Sequence, residues 1–308
     1  MISIIGSGKV GSAIAFLCGS NGLDDITLVN RTEKKAMGEA LDISNAIPEN
    51  SSISIRGTGN FSQISGSDVV VIAASSGTHL ASRTERMFDQ AIMVEKITGE
   101  IAKFAPESKI LLITNPVDVL TFLTLKQGIF PSKNVIGVAS NLDSSRFQHV
   151  LAQEFGTDRS KITDAMVLGE HDDSMVPIFS LAKVNGKPVT PLLDVHQQSI
   201  ITSKVRNYWK ELRANKGQSV FGIAKNTYDI IQCIIKKQTL DVVASTLLDG
   251  QYGLEDVCVG VPVTITKDGI VQINQIALTG EEKQQLHKSA GVVKSNIARI
   301  QEFLKTSQ

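Results

Sequence analysis

Residues 2–11 read ISIIGSGKVG, and this stretch decides how the rest of the chain folds. A short apolar strand runs directly into the pattern G-x-G-x-x-G and then into the amphipathic run 10–17. In such a pattern Gly6 permits a tight turn, Gly8 lets the backbone approach a pyrophosphate, and Gly11 lets the helix pack on the strand. The free N–H groups at the helix N-terminus suit phosphates. The motif alone could be a turn without a ligand, but its place between strand and helix predicts a dinucleotide site.

The first half of the chain continues this alternation of strands and helices. The run DVVVIAA at 68–74 is continuously apolar, as expected for a strand buried in a parallel sheet. The pattern predicts an α/β fold with a Rossmann doubly wound parallel sheet, in which ligands lie at the carboxyl ends of the strands. Further strands are predicted at 25–29, 53–56, 68–74, 109–114 and 135–138, with helices at 33–46 and up to about residue 104.

The pattern changes near residue 140, where an α+β catalytic domain is predicted to follow the sheet. A chain of 308 residues exceeds the length at which a single core usually divides, about 250–300 residues. We therefore predict a dinucleotide-binding domain at 1–140 and a catalytic domain at 141–308. The second domain is predicted to hold helices at 141–155, 193–214, 219–235 and 280–304, and strands at 161–169, 175–183, 242–248, 257–266 and 270–273.

Composition excludes several classes of partner. The net charge is +0, which gives no electrostatic footprint for nucleic acid or for an anionic membrane. No apolar run reaches the ~18 residues of a membrane span, and the opening strand leaves no room for a signal peptide. Cys18, Cys233 and Cys258 are far apart and lie in apolar runs, so no metal site is expected and they read as core residues in a reducing compartment. A soluble cytoplasmic protein is expected.

The end of the second predicted strand bears on the choice of cofactor. About twenty residues after the glycines, an Asp or Glu would bind the ribose 2′-OH of NAD. Here the strand ends at Asn30, followed by Arg31 and Thr32. An amide beside an arginine suits a 2′-phosphate, which a carboxylate would repel. The pattern favours NADP beside or above NAD, unless Arg31 is an ordinary surface arginine.

Five polar residues have ordinary structural explanations when each is taken alone. Asp143 and Arg146 are three apart on one predicted helix, where surface ion pairs are common. His171 lies in the loop GEHDDS at 169–174, Arg86 ends a loop rich in small polar residues, and Asn115 follows a strand.

Together these residues lie in stretches through which the chain resembles the lactate/malate dehydrogenase family over nearly its whole length. The amino-acid sequences of two stretches, GEALDI and YGLEDVCVGVPV, resemble the malate branch of the lactate-like group. The stretches are GSGKVG at 6–11, GEALDI at 38–43, ITNPVDVLT at 113–121, VIGVASNLDSSRF at 135–147, LGEHDDSMVPIFS at 168–180 and YGLEDVCVGVPV at 252–263.

The resemblance implies a role for each of the five residues. His171 matches the catalytic acid/base, and an imidazole can exchange a proton near neutrality. Asp143 matches its carboxylate partner, and Arg146 matches the arginine that grips the substrate carboxylate through a planar fork. Arg86 matches the loop arginine that polarises the reacting carbonyl, and Asn115 matches a residue near that carbonyl and the nicotinamide.

The resemblance also implies a pocket residue, a cofactor site and an assembly. Ser245 falls where the family lines the substrate pocket, and closure of the loop 78–85 would exclude water. A 2-hydroxy or 2-keto acid is the expected substrate, and a homodimer or homotetramer is the expected assembly. The expected cofactor-binding residues are Gly6, Ser7, Gly8, Lys9, Val10, Gly11, Asn30, Arg31, Thr32, Ala74, Gly77 and Asn115.

Three departures from the family pattern leave the substrate open. Asn30 replaces the NAD-type acid, and Asp172 stands where the family usually has glycine, so it could raise the basicity of His171 or point away. Leu80 occupies the position, six before Arg86, that usually holds the malate-specifying arginine. Arg83 could replace that arginine if the loop folds differently. Malate is favoured, lactate or another apolar 2-hydroxy acid is the alternative, and a catalytically silent dinucleotide-binding protein is the remote one.

Overall fold

The computed structural model describes residues 1–76 and 83–306, with the side chains of 83–85 left out of the description. Within these residues the strands are β1 (Ile2–Ile5), β2 (Ile26–Val29), β3 (Ile55–Thr58), β4 (Val69–Ile72), β5 (Lys109–Leu112), β6 (Val135–Gly137), β7 (Ile162–Thr163), β8 (Met166–Leu168), β9 (Val176–Ile178), β10 (Lys183–Val184), β11 (Lys187–Pro188), β12 (Leu240–Asp249), β13 (Glu255–Thr266) and β14 (Gly269–Ile273). The helices are α1 (Lys9–Ser20), α2 (Glu33–Ser44), α3 (Arg83–Phe104), α4 (Val117–Lys126), α5 (Ser140–Glu154), α6 (Val195–Lys216), α7 (Phe221–Ile235) and α8 (Gly280–Thr306).

The predicted Rossmann sheet is confirmed. Six parallel strands lie in the order β3-β2-β1-β4-β5-β6, so β1 is central and pairs with β2 on one side and β4 on the other. Strands β1, β2 and β4 are buried along their whole length, which explains their continuous apolar sequences. The carboxyl ends of β1, β4 and β5 therefore open onto one edge, where the loop 6–8 and Asn115 follow.

The same sheet continues into the second half of the chain. The antiparallel strands β12, β13 and β14 extend it beyond β6, and Ser245 on β12 pairs with Gly137 on β6. The two strands approach closely, because a Cβ on Gly137 would lie 2.7 Å from the Cβ of Ser245. One hydrophobic core accordingly runs from Ile2 to Ile300, and a smaller cluster lies under α6.

Two of the predicted strands are wrong in their extent. The run 161–169 is divided into β7 and β8 because Asp164 adopts a left-handed conformation with φ 56°. β7 then pairs with β10, whereas β8 pairs with β9 in a separate two-stranded sheet. The run 175–183 is likewise divided into β9 and β10. A hairpin turn at Asn185-Gly186, with φ of 50° and 75°, joins β10 to β11.

Among the helices of the described ranges, none combines the length and the apolar character that crossing a membrane requires.

Candidate functional site

The glycine motif has the geometry that a bound pyrophosphate requires. Gly6 has φ 107°, and a Cβ there would lie 2.7 Å from the backbone of Ala74. A Cβ on Gly11 would lie 2.0 Å from the carbonyl oxygen of Gly6, so only glycine lets α1 pack this closely on the turn. Among the described residues, a Cβ on Gly8 would meet nothing within 4 Å, so these residues leave space beside the N-terminus of α1.

The N-terminus of α1 is also free to hold an anion. Gly8 is its N-cap and supplies no side-chain hydrogen bond, and the first turn carries no acidic residue. Lys9 is exposed beside it. The free N–H groups and the positive end of the helix dipole therefore face open space, which fits the phosphates of a dinucleotide.

The side chain of Asn30 is fixed by hydrogen bonds on both sides. Its Nδ2 donates to Ser7 Oγ at 2.9 Å, and its Oδ1 accepts from the Thr32 backbone N–H at 3.0 Å. Arg31 is exposed and donates from one terminal nitrogen to the carbonyl of Ser76 at 3.3 Å. The guanidinium therefore lies between the ends of β2 and β4, on the edge where the glycine turn opens.

The structure brings His171, Asp143 and Arg146 together. Asp143 and Arg146 lie one turn apart in α5, and His171 follows β8 and reaches α5 from the loop above it. The Nδ1 of His171 lies 2.5 Å from Asp143 Oδ2, and a terminal nitrogen of Arg146 donates to Asp143 Oδ1 at 3.0 Å. Asp143 thus uses one oxygen for each partner, and the ring nitrogen Nε2 of His171 lies on the side of the ring away from this carboxylate.

Burial and charge oppose each other at His171. Burial lowers its pKa, but the neighbouring Asp143 carboxylate outweighs burial, and the pKa is raised above the ordinary value of 6.5. Arg146 lowers the pKa, and the carboxyl of Asp118 raises it. Burial raises the pKa of Glu170 to about 7, and the carboxylate of Asp172, two residues further along the chain, also raises it.

Asp118 is a site residue for which the sequence analysis gave no role. It lies in the first turn of α4, it is 2 % exposed, and its Oδ2 accepts the backbone N–H of His171 at 2.8 Å. Burial raises the pKa of this carboxyl to about 6. The nearby Ser245 hydroxyl lowers that pKa. Asp118 Oδ1 and Ser245 Oγ are both buried, and within the described ranges neither has a hydrogen-bond partner. A carboxylate inside the apolar run VDVLTFL was the available signal.

The loop that carries His171 is anchored on its other side by α8. Ser289 Oγ accepts the backbone N–H of Glu170 at 2.8 Å and contacts Ser174 Oγ at 3.0 Å. Ser174 in turn donates to the Glu170 carboxylate. Gly169 exchanges two backbone hydrogen bonds with Gly260 of β13, both at 2.9 Å. The histidine backbone is therefore held by α4, α8 and the sheet.

Three other predicted site residues, Arg86, Asn115 and Ser245, lie on elements other than α5 and the loop of His171. Arg86 is exposed near the start of α3 and Asn115 is exposed after β5, and in the part of the chain that the structure describes neither is hydrogen-bonded to His171 or Arg146. Ser245 is fully buried in β12. Their predicted roles stay predictions. Gly77 and Leu80 lie outside the described residues, as does the side chain of Arg83.

Comparisons with known proteins agree over the whole chain. Residues 1–137 match the family model for the lactate/malate dehydrogenase NAD binding domain, and residues 140–304 match that for the lactate/malate dehydrogenase alpha/beta C-terminal domain. The chain is 34% identical over 299 residues to a malate dehydrogenase of Staphylococcus saprophyticus, with 95% of each chain covered. It is 32% identical over 308 residues to an L-lactate dehydrogenase of Acetivibrio thermocellus, covering 97% of this chain and 96% of that protein.

A solved structure is also similar to this chain over nearly its whole length. A lactate dehydrogenase from Cryptosporidium parvum, complexed with lactic acid and β-nicotinamide adenine dinucleotide, superimposes with a TM-score of 0.92 at 32% identity. The match covers 97% of this chain and 97% of that one.

Proposed function

The chain belongs to the lactate/malate dehydrogenase family, and from this premise we propose that it is a malate dehydrogenase that interconverts malate and oxaloacetate. The observation that carries the proposal is the contact of Asp143 with both His171 and Arg146. This arrangement sets a proton-transfer group beside a carboxylate-binding group, as a 2-hydroxy acid dehydrogenase needs.

His171 is the acid/base of the proposed reaction. Because Asp143 occupies Nδ1, the proton is exchanged at Nε2, with the tautomer set by the carboxylate. In reduction, protonated His171 gives its proton to the carbonyl oxygen, and in oxidation the neutral ring takes the hydroxyl proton. Asp143 stabilises the imidazolium, which is present before the proton transfer in reduction and after it in oxidation.

Arg146 binds the C1 carboxylate of the substrate. One of its nitrogens is engaged with Asp143, while its buried Nε has no hydrogen-bond partner within the described ranges. A substrate carboxylate would satisfy this donor through a charge-assisted bond. Arg86 and Asn115 are proposed to contact the carbonyl oxygen when the preceding loop closes.

The residues of the glycine turn and the N-terminus of α1 would hold the cofactor phosphates. When bound, the nicotinamide supplies or accepts the hydride. We propose that NADP serves at least as well as NAD. The fixed amide of Asn30 places no negative charge at the ribose, and Arg31 is exposed beside it. A charge-assisted contact with a 2′-phosphate contributes roughly 1.5–3 kcal/mol, about tenfold or more in affinity.

The second candidate function is a lactate dehydrogenase, and Leu80 favours it. A malate pocket must pair a second carboxylate, and a buried unpaired carboxylate costs on the order of several kcal/mol. Leu80 cannot pair it, whereas Arg83 lies on the same stretch of chain and has the charge and reach to do so. We favour malate because the stretches GEALDI and YGLEDVCVGVPV resemble the malate branch, whereas the relatives that match nearly the whole chain include both malate and lactate dehydrogenases.

The test is a matrix of kcat/KM values for oxaloacetate and pyruvate, each with NADH and NADPH. Oxaloacetate is expected to be the better substrate, and Arg83→Ala is expected to remove that preference. Asn30→Asp with Arg31→Ile is expected to shift cofactor preference towards NADH. His171→Asn is the control for chemistry, expected to abolish turnover while cofactor affinity stays nearly unchanged.

The outcomes separate the alternatives. A better rate with pyruvate makes the lactate function correct and Leu80 the decisive residue. A preference for oxaloacetate that survives Arg83→Ala shows that another cation pairs the second carboxylate. Strong preference for NADH overturns the proposal for Arg31. Cofactor binding without turnover on either keto acid, or turnover retained by His171→Asn, contradicts the proposed chemistry.

A further inference from the structure

The substrate-binding Arg146 is in contact with an aromatic side chain from another helix. The centroid of the Tyr208 ring lies 5.4 Å from the guanidinium carbon of Arg146. We propose that Tyr208 is a positioning residue, which fixes the plane of the Arg146 guanidinium for the substrate carboxylate. This inference rests on the proposed function, since it assigns a role within the same site.

The sequence of α6 explains why Tyr208 reaches this position. Ile201 and Val205 are fully buried, and Tyr208 continues the same face of the helix at the spacing i, i+4, i+7. This face packs against α5, the helix that carries Asp143 and Arg146. The phenol ring is therefore directed at α5 by ordinary helix packing.

The ring is held on α5 by two residues one turn apart. Besides Arg146, it contacts His149, with ring centroids 6.3 Å apart and the planes at 85°. An aromatic pair in this edge-to-face arrangement is favourable and restricts the orientation of the ring. Tyr208 therefore presents a fixed surface to the guanidinium.

Arg146 needs a second support because Asp143 restrains only one of its nitrogens. The guanidinium is buried, with the side chain 7% exposed, and within residues 1–76 and 83–306 its hydrogen bond is the one that it donates to Asp143 Oδ1. A single bond of this kind leaves the plane free to rock about the bonded nitrogen. An aromatic ring attracts a cation through its quadrupole and stacks with the flat guanidinium, which limits that motion.

The positioning role predicts a selective kinetic effect. Tyr208→Leu is expected to raise KM for the keto acid about threefold to thirtyfold, roughly the range between an exposed and a desolvated cation–π contact. The change in kcat should stay within about twofold, and the Kd for the reduced cofactor should not change. Tyr208→Phe keeps the ring and is expected to retain wild-type KM.

Two comparisons separate positioning from general damage to α6. Trp209→Leu removes the next aromatic residue of the helix and is the matched control, expected to leave KM unchanged. The second comparison uses the 2-keto amide of the same substrate as probe, because it lacks the C1 carboxylate. Tyr208→Leu should weaken the keto acid much more than the amide. In the Arg146→Lys background it should add little.

Each result decides the matter. A wild-type enzyme that reduces no keto acid overturns the proposed function and this inference with it. Wild-type turnover with an unchanged KM in Tyr208→Leu overturns only the inference, as does an equal loss for acid and amide. If Tyr208→Leu does not fold, Tyr208→Met fills the volume without a π face, and its KM is held to the same expectation.

Discussion

A single carboxylate, that of Asp143, organises the candidate site. Its two oxygens hold His171 and Arg146, so the residues proposed for proton transfer and for carboxylate binding share one fixed point. This carboxylate is also the reason why the pKa of His171 rises although the ring is buried. The protonated form that the proposed keto-acid reduction uses therefore persists above pH 6.5, and we expect kcat for the oxidative direction to rise as the pH passes through the elevated pKa.

Asp118 should leave a signature in the pH dependence of stability. Burial raises its folded-state pKa to about 6, above the unfolded value of about 3.9. A raised pKa gives stability that is present below the unfolded value and is lost as the pH rises through the folded value. Between pH 4 and 7, wild-type protein should lose on the order of 3 kcal/mol relative to Asp118→Asn.

Urea unfolding at pH 4.5, 5.5, 6.5 and 7.5 (roughly spanning the window set by the two pKa values) measures this difference. Asp268→Asn is the control, because Asp268 is exposed in the turn between β13 and β14. It should follow the wild-type curve at every pH. Parallel curves for wild type and Asp118→Asn would mean that Asp118 titrates normally in the folded protein.

At the level of elements, the sequence predicts those parts of the fold that depend on residues close together in the chain. The glycine turn could be predicted because its close approaches exclude other residues, and the pair Asp143 and Arg146 because helix spacing fixes their shared face. The break at Asp164 could not, since it depends on pairing of β7 and β8 with different partners. The role of Asp118 also escaped, because its hydrogen bond spans 53 residues of sequence.

Substitutions at two glycines of the turn, Gly8 and Gly11, allow effects on cofactor binding to be separated from effects on folding. Gly8→Ala places its methyl group in open space at φ −88°, so the melting temperature should stay within about 2 °C. The methyl group lies where a pyrophosphate would approach, and Kd for the reduced cofactor should rise tenfold or more. Gly11→Ala meets the Gly6 carbonyl and should destabilise the fold by about 1–3 kcal/mol or more.

Fluorescence titration of the reduced cofactor and thermal melts of the free enzyme are sufficient to compare the two variants. We expect Gly8→Ala to lose cofactor affinity but not stability, and Gly11→Ala to lose stability. If Gly8→Ala binds the cofactor as wild type does, the phosphates do not lie over this turn.

At the scale of the whole molecule, one nine-stranded sheet joins both halves of the sequence. The predicted boundary near residue 140 falls between β6 and α5, yet β6 is hydrogen-bonded to β12 from the far part of the chain. The main core draws buried residues from β1 through α8. Separating the halves would expose the edge of β6 and the inner faces of the helices that cover it.

We therefore predict that the two parts unfold together, in one calorimetric transition whose van't Hoff and calorimetric enthalpies agree. Gly137→Val tests the pairing of β6 with β12, because a Cβ there would lie 2.6 Å from Thr121 Oγ1 and 2.7 Å from Ser245 Cβ. It should lower the temperature of the whole transition without splitting it. Gly291→Ala is the control, since Gly291 is exposed within α8 and a Cβ meets nothing within 4 Å. It should raise stability by up to about 1 kcal/mol.

The same scans at several protein concentrations bear on the expected homodimer or homotetramer. Association of folded chains stabilises them by mass action, so the transition temperature should rise with concentration. A temperature independent of concentration, with light scattering at the monomer mass, would contradict the predicted assembly. Two resolved transitions in wild type would show instead that residues 1–140 and 141–308 are separate folding units. In that case Gly137→Val should shift only one of them, and the continuity of the sheet would not make the molecule cooperative.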